Sequence, residues 1–401
     1  RLAPEQAARL GLVPGARLLV TETPDGLTIR LADPALASVY VEPTAACNLN
    51  CTTCVRHSWS EPIGTMRMAT FESLIDGLRS VPTLRKIAFW GIGEPLLHRE
   101  IDLMVSMAKE LGAETELVTN AMLLDQAMSE RLVAAGLDRL IVSIDSTEPD
   151  EQAEIRSGAS LDRIVENLQT LAGVKVAAES STPVVGMEFV AMKKNLHELP
   201  KLRRFSYRIG ASFIVITNLL PYTEELADQT LYGLWAGRSY SSEPSGSIQE
   251  VRLPRMDARR EALLPVVGLL EHAGVFGPSP VNPWGGEGYC RFVAEGTAAV
   301  SWDGSVSPCV ALMHSYRCFV LGREKQIRRY TLGNVAETPI TEIWARDEYV
   351  RFRDRVQRFD FSPCTNCGSC NLAETNQEDC FGNPFPVCGD CLWAKGVIQC
   401  P

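Results

Sequence analysis

At 401 residues, 45% of them hydrophobic and 22% charged, the chain has the composition of an ordinary globular protein, and its formal net charge is −10. No apolar run approaches the roughly 18 residues that a membrane span needs. The acidic balance, without a long basic run, argues against a nucleic acid as the main partner, because phosphate binding needs clustered Lys and Arg. The length predicts two or three domains, one large catalytic unit with smaller appendages. Residues 1–10 lack the apolar core of a signal peptide, which makes the cytoplasm the default location.

In chain order, a first unit covers residues 1–34. Within it, 18–30 read as a β-hairpin turning at Asp25-Gly26. With the run from Gln6 to Arg17 before it, the segment resembles the swapped-hairpin fold of AbrB-type regulators. Its single copy and balanced charge imply docking of a protein or peptide, or a small accessory sheet, rather than DNA binding.

A second unit, 35–222, alternates strands and helices. Strands are predicted at 38–42 (SVYVE), 86–90 (KIAFW), 114–119 (ETELVT), 139–144 (RLIVSI), 184–190 (VVGMEFV) and 212–217 (SFIVIT). Helical periodicity fills 70–80, 101–111, 124–135, 161–171 and 196–205. Six β/α units in that space define an α/β fold, a partial (β/α)6 TIM-type barrel whose active site belongs at the C-terminal strand ends. Residues 223–285 contain the turn-rich run 239–247 and a charged stretch after it, read as a mobile bridge or a lid. Residues 286–401 form a cysteine-rich third unit.

The 13 cysteines are unevenly placed: Cys47, Cys51 and Cys54 form one knot, the other ten lie from Cys290 onward, and none stands between. A chain this large does not need disulfide staples, so thiolate ligation of metal is the better reading. Zinc is a rival at each C-x2-C pair, since tetrahedral thiolate sites use the same spacing. The first knot is C-x3-C-x2-C with only His57 available to complete a zinc knuckle. A cubane cluster held by three thiolates leaves one iron open to chelate a substrate.

On this knot and the motifs after it the chain resembles the radical S-adenosylmethionine (radical SAM) superfamily. The resemblance implies a [4Fe-4S] cluster on Cys47, Cys51 and Cys54, with S-adenosylmethionine on its open iron cleaved to a 5′-deoxyadenosyl radical. Gly91-Ile92-Gly93-Glu94-Pro95, after the second strand, resembles the family's GGEP motif, in which backbone groups of a tight turn hold the methionine amino group. Asn120 ends the third strand and Ser143 the fourth, with Arg156 thirteen residues on. The family's matching serine bonds the cofactor and its matching arginine pairs with the carboxylate, a bidentate task suited to guanidinium. Asn218, after the sixth strand, is expected at the adenosyl group. Thr53 departs from the pattern, since the residue before the third cysteine is commonly aromatic, and Trp59 or Trp90 becomes the candidate support for adenine.

The third unit resembles a SPASM domain, a cysteine-rich iron-sulfur module. Cys290, Gly304 and Cys309 match its opening pattern, with Ser301-Trp302-Asp303-Gly304 read as a hairpin turn, and Leu332-Gly333-Asn334-Val335 is a second hallmark. Cys364, Cys367, Cys370, Cys380, Cys388, Cys391 and Cys400 follow in a rearranged spacing. These implied ligands suffice for one or two auxiliary [4Fe-4S] clusters, while Cys318 is read as a buried structural residue. A zinc ribbon is the alternative for this region.

Taken whole, the chain most resembles the radical SAM maturases found with tungsten-containing aldehyde ferredoxin oxidoreductases. That implies modification of a peptide, a protein or an enzyme cofactor, with ferredoxin or flavodoxin as electron donor. A ribosomal peptide natural-product maturase is the alternative. A non-catalytic iron-sulfur carrier, which would not cleave S-adenosylmethionine, is the alternative of another class.

Overall fold

The computed structural model of the protein describes residues 18–23, 26–31, 34–233, 240–242, 249–257, 260–270, 276–278, 288–366 and 370–400. Of the N-terminal unit, strands β1 (Leu18–Thr23) and β2 (Gly26–Leu31) form the antiparallel hairpin expected from the sequence. Residues 1–17, which carry the rest of the AbrB-like resemblance, lie outside the described residues. So does Cys367.

Six strands make the barrel: β3 (Ser38–Val41), β4 (Lys86–Phe89), β5 (Glu114–Thr119), β6 (Arg139–Ser143), β7 (Val184–Ala191) and β8 (Phe213–Asn218), paired in chain order and all parallel. They are apolar over most of their length because a parallel sheet in an α/β protein is covered on both faces. Helices α1 (Met68–Leu78), α2 (Ile101–Glu110), α3 (Gln126–Ala134), α4 (Pro149–Ile155), α5 (Leu161–Ala177) and α6 (Leu202–Arg208) cover the convex face. Helix α1 shows why: Phe71, Leu74, Ile75 and Leu78 fall at helical spacing and are all buried. Helices α3 and α5 start at side-chain caps, Asp125 accepting from Met128 N and Ser160 from Arg163 N. Where one helix is expected at 196–205, a 3-10 turn precedes α6, since Pro200 cannot donate to a helical ladder.

The sheet does not stop at the barrel. At the β8 edge it continues through β10 (Glu250–Leu253), parallel to β8, then β9 (Tyr240–Ser242) and β11 (Phe276–Pro278). The described part of the expected bridge thus adds strands to the sheet, with Val251 and Leu253 buried in them, and carries the helices Glu224–Ala227 and Arg260–Leu270. At the other edge, β12 (Thr297–Val300) runs parallel to β3, followed by β13 (Ser305–Ser307). A separate hairpin of β14 (Tyr316–Val320) and β15 (Arg323–Ile327) carries Cys318, which is 2% exposed. The outermost strand is β16 (Gly333–Asn334). The cysteine-rich unit thus grows out of the barrel sheet through β12. No helix among the described residues is long and apolar enough to cross a membrane.

The turn between β12 and β13 needs its glycine. Gly304 has φ of +86°, and a Cβ there would lie 2.7 Å from Asn334 Oδ1 and 2.8 Å from Thr70 Cγ2. Asn334 also donates to Asp303 O at 2.9 Å, so the second hallmark segment packs on the first. Gly304→Ala is expected to lower the unfolding free energy by about 1–3 kcal/mol, through strained backbone and the clash together. Denaturant unfolding measures it, and a change within experimental error would show that the turn relaxes freely.

Candidate active site

The loop after β3 carries Cys47, Cys51 and Cys54 over the C-terminal ends of the strands, and it is held by its own peptide groups. Asn50 N donates to Ser157 O and Thr52 N to Ile155 O, each at 2.9 Å, which anchors the loop to the end of α4. Arg56 clamps it from within, donating to Ala45 O and Leu49 O at 3.3 and 3.1 Å. His57 does not turn toward the thiols: its Nε2 sits 3.1 Å from Cys51 O, and its ring lies against Tyr222. Burial pushes the Cys51 thiol up to about 11 and raises Cys54 as well.

The glycine motif fits against this loop. A Cβ on Gly93 would lie 2.1 Å from Thr44 O, and one on Gly91 would lie 2.4 Å from Glu42 Cγ. The close approach that these glycines permit is therefore to the base of the cysteine loop. Glu94 N donates to Ala46 O at 2.8 Å. The Glu94 carboxylate, 2% exposed, accepts from Leu96 N, Thr119 Oγ1 and Asn120 N at 3.0, 2.6 and 2.8 Å. Burial raises its pKa against the pull of these donors. Its oxygens are turned to the end of β5, where Asn120 donates to Asn48 Oδ1 at 2.9 Å. Glu94 thus ties the β5 end, and Asn120 with it, to the cysteine loop.

The three cysteines, Arg56, the glycine turn, Glu94 and Asn120 line one cleft with an empty volume of about 1270 Å³, its open mouth included. Ser143, Arg156 and Asn218 line it too. Arg156 Nε donates to Asp145 Oδ2 at 2.7 Å, and Asp145, fully buried, also accepts from Val190 N. Burial works against the guanidinium charge, and the Asp145 carboxylate outweighs it. Ser143 Oγ lies 3.5 Å from Glu188 Oε2. Burial lifts Glu188 to about 7 against the pull of Arg156, so the cleft holds a carboxyl that changes protonation near neutrality. Asn218 spends its amide hydrogens on Arg255 O and Val397 O, and its Oδ1 is buried with no partner, an acceptor awaiting a donor. Trp90 lines the cleft; Trp59 instead packs edge-on to His314, ring centres 4.2 Å apart.

The last residues of the chain cross the same cleft. Gln399 N donates to Thr217 Oγ1 at 2.9 Å on β8, and Trp393 and Cys400 line the cavity beside it. Apart from Cys318, the other described C-terminal cysteines fall into two groups. Burial raises the Cys309 thiol, and the nearby thiolates of Cys290, Cys391 and Cys388 raise it further; Cys388 in turn feels Cys391 and Cys290. Cys309, Cys388 and Cys391 also line one internal cavity. In the second group, Cys364 and Cys380 meet across Ser362 Oγ at 3.6 and 3.0 Å, with Cys370 six residues beyond Cys364.

These donor sets suit clusters better than single ions. One tetrahedral zinc at about 2.3 Å from sulfur needs thiolates roughly 3.8 Å apart. Among the described residues, the one trio of possible donors within 4.8 Å is Glu151, His197 and Glu198, and no three cysteines come that close. A cubane places each thiolate on a different iron and so spreads them. The twelve described cysteines are all free of disulfides.

Sequence reasoning missed a buried link behind the site. Glu42, at the end of β3, is fully buried; its Oε1 accepts from Ile92 N at 3.1 Å, and its Oε2 lies 2.9 Å from His314 Nε2. His314 Nδ1 lies 2.7 Å from Glu61 Oε2. Burial alone would lower the imidazole pKa, but the hydrogen bonds to Glu42 and Glu61 outweigh it and lift the value to about 9. The one available signal was Glu42 at the end of an apolar strand.

The fold and the cleft define the class: the chain belongs to the radical SAM superfamily, and it is an enzyme. Residues 41–204 match the Radical SAM superfamily, and 290–371 match the iron-sulfur cluster-binding domain SPASM. Its cofactors are a [4Fe-4S] cluster with S-adenosylmethionine in the first domain and auxiliary iron-sulfur centres in the second. Among named relatives, it is 31% identical over 370 residues to the tungsten-containing aldehyde ferredoxin oxidoreductase cofactor-modifying protein of Pyrococcus furiosus, covering 90% of this chain and 96% of that one. It is 27% identical over 371 residues to the AdoMet-dependent heme synthase of Methanosarcina barkeri, covering 88% of this chain and 93% of that one. Streptococcus suis SuiB bound to its precursor peptide SuiA shares the fold, with a TM-score of 0.55 at 16% identity over 80% of this chain and 67% of that one.

The His314 contact has a pH signature. Its pKa rises from 6.5 to about 9 on folding, so the folded state binds the proton more tightly. The stabilisation is complete below the unfolded value and is lost as pH rises through the folded one. His314→Gln is expected to cost on the order of 3 kcal/mol near pH 6 and little near pH 10. Unfolding curves of both proteins across that range measure it, and a gap independent of pH contradicts the assignment.

Proposed function

We propose that Cys47, Cys51 and Cys54 hold the [4Fe-4S] cluster, and that Gly91, Gly93, Asn120, Ser143, Arg156 and Asn218 surround S-adenosylmethionine. The cluster and cofactor supply a 5′-deoxyadenosyl radical when bound. The protein's own part is positional. The Gly91-Ile92-Gly93 turn presents backbone polar groups, with Glu42 holding it through Ile92 N. Arg156, pinned by Asp145, offers its remaining N–H groups to a carboxylate. The unpartnered Asn218 Oδ1 suits an amino or hydroxyl donor of the adenosyl group. Glu188 holds or takes a proton beside the reacting centre. Cys290, Cys309, Cys388 and Cys391 form one auxiliary ligand set, and Cys364, Cys367, Cys370 and Cys380 form a second.

The substrate reading is maturation of a tungsten-containing aldehyde ferredoxin oxidoreductase, acting on that protein or its cofactor. The observation that carries it is the 31% identity spanning 96% of a relative named for that task. A reduced ferredoxin or flavodoxin is the expected electron source. A reducing cytoplasm suits so many free thiols. A ribosomal peptide substrate is the second reading, favoured by SuiB, which shares the fold and was solved with its own peptide.

Incubating the reconstituted enzyme with dithionite and S-adenosylmethionine, with and without the tungsten oxidoreductase lacking its mature cofactor, tests the choice. Faster 5′-deoxyadenosine release in the presence of that protein is expected. Acceleration by a short precursor peptide, and none by the oxidoreductase, would transfer the assignment to the second reading.

A further inference from the structure

The glycine turn that lines the cleft is shaped from behind. A Cβ on Gly91 would lie 2.4 Å from Glu42 Cγ and 2.8 Å from Glu42 Oε1, so the turn lies flat on that side chain. Ile92 N donates to the same Oε1 at 3.1 Å. The amide joining Gly91 to Ile92 is trans, and in a planar trans amide the C=O points opposite to the N–H. With its N–H on Glu42, this amide turns the Gly91 carbonyl away from the buried carboxylate. Gly91 lines the cleft, and no group among the described residues donates to its carbonyl oxygen. The turn thus carries an acceptor whose direction Glu42 sets.

Glu42 is in turn held by the cysteine-rich domain. Its Oε2 lies 2.9 Å from His314 Nε2 and 3.5 Å from Trp302 N. His314 is fixed on its other side, with Nδ1 2.7 Å from Glu61 Oε2, while Ser315 N donates to Glu61 Oε1 at 2.6 Å. The two carboxylates keep the imidazole protonated, so both ring nitrogens donate. One oxygen of Glu42 is taken by this cation, and the other is aimed at Ile92. Hydrogen bonds in a chain polarise one another, so an amide whose N–H meets a carboxylate has a more electron-rich carbonyl oxygen. Such an oxygen favours a cationic donor, an ammonium group, over a neutral one.

We propose that the cysteine-rich domain sets the amino-group subsite of the cofactor: Glu42, anchored by His314, is the positioning residue that turns the Gly91 carbonyl to the ammonium of S-adenosylmethionine, an inference that rests on the cofactor placement proposed above. The carboxylate acts through one peptide bond and not by contact. Cofactor affinity is thereby tied to the docking of the second domain, since removing His314 leaves Glu42 a buried charge without its partner. The adenosyl half, which faces other residues, is bound independently of this link.

Equilibrium dialysis of reconstituted holoenzyme tests it, with S-adenosylmethionine and with 5′-methylthioadenosine, which keeps the adenosyl half and lacks the amino and carboxylate groups. Iron content is measured for each protein. In Glu42→Ala the Kd of S-adenosylmethionine is expected to rise about tenfold or more, as for a lost hydrogen bond to a charged group, while that of 5′-methylthioadenosine stays within about twofold. Glu42→Gln, which keeps an acceptor for Ile92 N, is expected to recover most of the loss. His314→Gln is expected to weaken S-adenosylmethionine alone, and it carries the same comparison if Glu42→Ala does not take up its clusters. Equal weakening of both compounds would make the link merely structural and overturn the proposal, as would an unchanged affinity for S-adenosylmethionine. An effect of Glu42→Ala with none of His314→Gln would overturn the control by the second domain. Failure of wild type to bind S-adenosylmethionine would instead remove the cofactor placement, and the proposal with it.

Discussion

A single buried carboxylate holds the active site to the rest of the molecule. Glu42 ends the first barrel strand, five residues before the first cysteine of the loop, and it is wholly withdrawn from water. Its oxygens engage the glycine turn through Ile92 N and the cysteine-rich domain through His314. A buried carboxylate is costly unless every oxygen has a partner and a countercharge is near, and His314 supplies the charge. The same carboxylate therefore joins the glycine turn to the cysteine-rich domain.

The remaining geometry follows from how little room the loop leaves. Two glycines are pressed against its backbone, Glu94 carries the β5 end to it, and Arg56 spans it from Ala45 to Leu49. The peptide contacts that fix the loop come from the glycine turn after β4 and from the end of α4, so the three thiols are placed by separate β/α units together. Charge in the cleft is arranged in the same economical way. Arg156 is bonded to Asp145 and also attracts Glu188, and burial holds Glu188 near neutrality against that pull. The electrostatics of the site are thus a property of β7 and of the segment after β6 acting together.

Much of this was readable in the chain. All six barrel strands and the cysteine knot follow from local signals: apolar runs of strand length, punctuation by Gly and Pro, and thiol spacing. The ends of the strands locate Asn120, Ser143 and Asn218, because an α/β barrel puts its chemistry there. Long-range partners were not readable. Nothing local says that Glu42 meets His314, 272 residues away, or that the chain's last residues line the barrel. The strand at 250–253 was hidden too, since the segment alternates only weakly and its pairing with β8 is what makes it a strand. The direction of the Glu94 carboxylate was equally hidden, since a motif reveals that a residue is needed and not which way its oxygens point.

The most direct test of the central claim, that the loop of three cysteines holds a catalytic cluster apart from the auxiliary ones, is iron and sulfide content with electron paramagnetic resonance of anaerobically reconstituted protein. Wild type is compared with a Cys47→Ala, Cys51→Ala, Cys54→Ala variant. The account predicts about twelve irons falling to about eight, loss of the spectral change on adding S-adenosylmethionine, and retention of the auxiliary signals. About four irons in wild type with bound zinc would contradict it, and would make the cysteine-rich domain a structural zinc module.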